Sequence, residues 1–95
     1  MLGCKRVQFS THLFVRLPEI SVDNINKCLS NPDEYYFDTV TRYYILLKKL
    51  NSRWICCVVE KLNEKCVVAT AWYMHDKKKN RYVTKKLTRG RWVII

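Results

Sequence analysis

Trp54–Met74 reads WICCVVEKLNEKCVVATAWYM. Two apolar runs, Trp54–Val59 and Cys66–Met74, flank a polar centre of Glu60, Lys61, Asn63, Glu64 and Lys65. Both runs are rich in β-branched and aromatic residues, and neither contains Gly or Pro. Each is short for a helix, so the stretch predicts a β-hairpin at the centre of a sheet. Neither run alternates cleanly between polar and apolar residues, which predicts a sheet covered on both faces.

Working outward, Tyr43–Leu50 predicts the strand before the hairpin, with Asn51–Arg53 as its turn. Tyr35–Asp38 predicts an edge strand, and Thr39–Arg42 its turn. Ile20–Leu29 predicts a helix: Ser21 is an N-cap, Asp23 meets the helix dipole, and Val22, Ile25, Cys28 and Leu29 form an apolar stripe. Ser30-Asn31-Pro32-Asp33 ends it. Further upstream, Lys5–Phe9 predicts a short strand. A helix capped by Ser10 or Thr11 follows and is ended by Pro18. The expected fold is α+β: two N-terminal helices packed on a four-stranded antiparallel sheet, with a basic C-terminal segment. Arg91–Ile95 (RWVII) is strand-like and is expected to pair with a sheet edge.

The 95 residues predict a single domain over 1–95, with a core of about 5–75 followed by the basic segment 77–95. A hydrophobic content of 48% is enough to build that core. The net charge of +10 is unevenly spread. Residues 1–76 carry ten Lys/Arg against eight Asp/Glu, whereas residues 77–91 carry eight Lys/Arg and no acid. Such a segment attracts polyanions. Tyr82 and Trp92 stand among its charges, and rings among cations suit nucleic acid better than solubility alone. Its conformation is left open between a helix, a loop and an arm ordered on binding. Arg42, Lys48, Lys77, Lys78, Lys79, Arg81, Lys85 and Lys86 are the candidate phosphate contacts.

The five cysteines are odd in number and lack zinc-site spacing. Cys28, Cys56, Cys57 and Cys66 lie in apolar patterns and read as small buried hydrophobes in a reducing compartment; a structural disulfide is left open but not indicated. The start lacks the apolar core of a signal peptide, and the longest apolar run is far short of a membrane span. A cytoplasmic protein without membrane contact is expected, and no cofactor and no metal site are read from the sequence.

An ordered set of features then stands out: T-H-x-x-x-R (Thr11, His12, Arg16), a helix opening Ile20-Ser21, N-P-D-E (Asn31–Glu34), aromatic strands (Tyr35, Tyr36, Tyr43, Tyr44), W-x-C-x-V-V-E (Trp54–Glu60) and V-V-A-T-A (Val67–Ala71). Over residues 5–75 this set resembles the small RelE-like and barnase/EndoU/colicin-like ribonucleases. The resemblance implies metal-independent RNA cleavage, often by the toxin of a toxin–antitoxin pair, with RNA and an acidic antitoxin-like protein as partners. By resemblance, His12, Arg16 and Thr70 are carried over as the candidate catalytic residues.

The residues suit that chemistry. Cleavage needs a base for the ribose 2′-OH, an acid for the leaving 5′-oxygen and cations for the phosphorane. An imidazole at His12 suits proton transfer near neutral pH. Arg16, one turn on, suits bidentate phosphate binding. The alternative is that His12 packs or caps the first helix while Arg16 pairs with Glu19. Thr70 is expected on the sheet face shared with Val68 and Trp72, as a phosphate donor or an ordinary strand residue. Tyr73 and His75, two apart, are expected on one side, stacking a base or supplying a second acid, or serving only as a rim aromatic and a solvated His. A non-catalytic RNA- or DNA-binding module using the basic segment is the alternative function, and an interaction protein docking an acidic partner is a third.

Overall fold

The central hairpin forms as expected. In the computed structural model, which describes residues 2–95, it consists of β4 (Arg53–Leu62) antiparallel to β5 (Lys65–Met74). The polar centre is mostly ladder, because pairing continues to Leu62↔Lys65 and leaves only Asn63-Glu64 as the turn. Asn63 takes φ 56, a left-handed conformation that Asn tolerates better than most residues.

The register explains the imperfect alternation. Val58 pairs with Thr70 but Val59 pairs with Val68, so Ala69 is an extra, bulged residue. The bulge switches which residues face which side. Cys66 and Val68 share a core with Ala71 and Tyr73, while Trp72 and Met74 belong to the opposite one.

Before the hairpin come β1 (Arg6–Phe9), α1 (Thr11–Phe14), α2 (Val22–Ser30), β2 (Glu34–Asp38) and β3 (Tyr44–Leu50). After it come α3 (Asp76–Thr88) and β6 (Trp92–Ile94). The class is α+β, but the expected four-stranded antiparallel sheet with two helices is corrected. Among the described residues the sheet has six strands in the order β1-β5-β4-β3-β2-β6, and three helices cover it. It is mixed, since β1 runs parallel to β5 while the other neighbours are antiparallel. β6 pairs with β2, so RWVII does find a sheet edge, and β2 is an inner strand instead of the expected edge.

Both faces are covered, as the hairpin implied. On one face Leu13 of α1 and Ile25 and Cys28 of α2 pack on Leu46, Ile55, Cys57 and Val68. On the other, Val83 of α3 packs with Tyr36, Leu47, Cys56 and Trp92. The core therefore runs past residue 75, and the basic segment is a helix built into it.

Cys28, Cys56 and Cys57 are buried free thiols, as their apolar settings predicted. The Cys57 thiol, hydrogen-bonded to Cys28 and buried, is pushed up, and burial does the same to Cys56. Cys66 departs from that reading. It is bonded to Cys4 across 62 residues; the parallel β1–β5 pairing, which sets Val7 opposite Cys66, brings the segment just before β1 to the start of β5. No helix is long and apolar enough to cross a membrane among the described residues.

Candidate nucleic-acid interface

Ser10 fixes the position of α1. As N-cap its Oγ accepts from the Leu13 N–H at 3.1 Å, and it donates to the Ala69 carbonyl at 2.6 Å. Its own N–H donates to the Val68 carbonyl at 3.0 Å. Pairing of β1 with β5 stops at Phe9↔Val68, so α1 takes over the edge of β5 at the bulge. His12 is exposed and Arg16 half-buried. Neither makes an ion pair among the described residues, and the Arg16–Glu19 pairing weighed above is not formed there.

Thr70 departs from its expected face. Opposite Val58 and two residues before Trp72, it stands on the α3 side, whereas Val68 belongs to the α1/α2 core. The bulge at Ala69 is the cause. His12 is two residues after Ser10, and Thr70 one residue after Ala69. The Ser10–Ala69 bond thus brings both backbones to one corner of the sheet, approaching it from either side of the β5 edge.

α3 sorts the lysines. Lys79, Tyr82, Val83, Lys86 and Leu87, spaced at helical intervals, face the sheet. Lys79 is buried, ion-paired to Glu34, with its Nζ 4.1 Å from the Trp54 ring centroid. Tyr36 Oη donates to the other Glu34 oxygen at 2.6 Å. Lys86 reaches over Tyr82 at 5.3 Å and Trp92 at 6.0 Å. These two expected phosphate contacts are instead occupied inside the protein. Lys77, Lys78, Arg81, Lys85 and Arg89 are exposed and in no ion pair among the described residues.

Neighbouring lysines should therefore respond differently. Lys79→Met strips the half-buried Glu34 carboxylate of its cation and should cost about 1–3 kcal/mol. Lys77→Met should stay within about 0.5 kcal/mol. Urea midpoints of the two variants check this, and equal midpoints would contradict it.

The remaining candidates disperse. Arg42 (φ 65) sits in the β2–β3 turn, its guanidinium 5.7 Å from the Phe37 ring centroid. Lys48 pairs with Asp33 at 3.7 Å. Tyr73 pins β5 to the start of α2. Its hydroxyl accepts from the Ser21 N–H at 3.2 Å and from Asn24 Nδ2 at 3.1 Å, and Arg53 lies 3.7 Å over its ring. Tyr73→Phe should lower the melting temperature by roughly 4–8 °C, about 1 kcal/mol of lost hydrogen bonding; an unchanged thermal melt would refute the pin. His75 is exposed just beyond β5, at the N-cap of α3. Arg89 was not among the sequence candidates, although its signal was present: Lys78, Arg81, Lys85 and Arg89 recur at i, i+3, i+7 and i+11.

Comparison of the chain with known protein families, with curated proteins and with solved structures finds no match.

Proposed function

We propose that this chain is a toxin-like, metal-independent endoribonuclease. The observation that supports this most is the Ser10–Ala69 bond, which holds the backbone of the helix bearing His12 and Arg16 at the β5 edge one residue from Thr70, although Thr70 faces the α3 side of the sheet. In this reading His12 takes the proton of the ribose 2′-OH as that oxygen attacks phosphorus. Arg16 and the Thr70 hydroxyl hold the non-bridging oxygens as charge develops on them. The 5′-oxygen leaves and is protonated from solvent. The products end in a 2′,3′-cyclic phosphate and a 5′-hydroxyl, and DNA, lacking the 2′-OH, is not cut. An acidic antitoxin-like protein would cover the exposed cations of α3.

The test is incubation with single-stranded RNA in EDTA at low salt, beside a matched DNA. Fragments ending in 2′,3′-cyclic phosphate from RNA alone support the reading. RNA that stays intact yet shifts on a gel, less so as salt rises, replaces it with the non-catalytic binding module, which the unpaired cations of α3 favour.

A further inference from the structure

Lys78, Arg81, Lys85 and Arg89 form one continuous flank of α3, about 16 Å long at the helical rise. All are exposed, and none is paired among the described residues. The flank has a definite direction. Tyr82 lies beside it on the helical wheel and meets Trp72 of β5 edge-on at 6.0 Å. Lys79 stands over Trp54, whose ladder partner is Met74. Moving from Lys79 to Tyr82 therefore moves back along β5 from Met74 to Trp72. The next residue of β5 on that face is Thr70.

We infer that this flank and the Thr70–Trp72 strip of β5 form a track for a single RNA strand, leading its backbone to the corner that holds His12. The inference rests on the RNA reading above but not on cleavage. This narrow row, with Lys77 beside its start, suits one phosphate backbone, and the half-buried rings of Trp72 and Tyr82 beside it offer stacking surfaces that unpaired bases, and not a duplex, can use. No outward carboxylate interrupts the row, whereas the inner lysines are already occupied.

The experiment measures binding of the full chain to a labelled oligouridylate across a salt series. It compares the wild type with a variant carrying Lys78→Gln, Arg81→Gln, Lys85→Gln and Arg89→Gln. A charge-matched control changes Lys5, Arg6, Lys27 and Lys61 to Gln, all exposed and off α3. Each phosphate contact on a single strand contributes ~0.7 to the slope of log K against log salt, so the flank variant should be shallower by about 2.8 while the control keeps most of the slope. Equal slopes in the two variants overturn the inference. So does tighter binding of a duplex RNA of the same length, or equal competition by poly-L-glutamate, which would make the partner an acidic protein. A wild type that binds with this slope but cuts nothing keeps the track and removes the cleavage reading. A wild type that cuts while the flank variant binds unchanged does the reverse.

Discussion

Asp38→Ala is expected to lower stability by about 3 kcal/mol, roughly 12–24 °C in melting temperature. Asp38 is 5% exposed and ties three parts of the chain together. One carboxylate oxygen accepts from the Val40 N–H at 2.9 Å, the Thr41 N–H at 3.0 Å and Arg91 Nε at 2.8 Å. The other accepts from Trp92 Nε1 at 3.3 Å. Truncation would leave the β2–β3 turn without its cap and a buried indole N–H without its acceptor, and would loosen β6. Because β6 carries Trp92 into the α3-side core, the loss would spread beyond the turn.

The same residue sets a pH dependence. Burial opposes ionisation of Asp38, but the Arg91 bond and the Thr41 and Val40 N–H groups outweigh it and hold the carboxyl at about 2. The folded value lies below the unfolded one of about 3.9. Its contribution is therefore complete above pH of about 4 and is lost as pH falls toward 2. Thermal melts of wild type and Asp38→Ala should differ most above pH of about 4 and converge below it. A gap that stays constant down to pH of about 2 would contradict this account.

His12→Ala should reduce RNA cleavage by about 10²–10⁴-fold, the range for removing a general base. Affinity for RNA should barely change, since the cations proposed to hold the strand lie on α3. Fold stability should also hold, because His12 is exposed and its neighbour Leu13 supplies the packing of α1. Ser10→Ala offers a second view of the same corner. It removes the side-chain cap and the bond to Ala69 but leaves His12 intact, so cleavage should fall together with stability. Single-turnover cleavage, fluorescence binding and thermal melts on both variants separate these effects. Undiminished cleavage by His12→Ala would remove His12 from the chemistry.

Much of the fold was legible where local chemistry governs it. Ser10 and Ser21 cap α1 and α2 because a hydroxyl can accept from the orphan N–H groups of the first turn. The aromatic and β-branched runs became strands, and RWVII reached a sheet edge. α3 was harder to read. Two of its five inward positions are Lys79 and Lys86, so the apolar stripe that announces an amphipathic helix is broken. Glu34, Trp54, Tyr82 and Trp92, gathered by the sheet and α3, make those positions habitable for a cation.

By itself the sequence determined the α+β class, the hairpin, the covered sheet faces and the concentration of charge after residue 76. These depend on composition and on spacing within one segment. The tertiary structure alone decided the parallel β1–β5 pairing, the Cys4–Cys66 bond, the Ala69 bulge that turns Thr70, and the division of lysines into inner and outer. Each depends on which distant segment becomes a neighbour, and a one-residue register shift changes the face of every side chain beyond it.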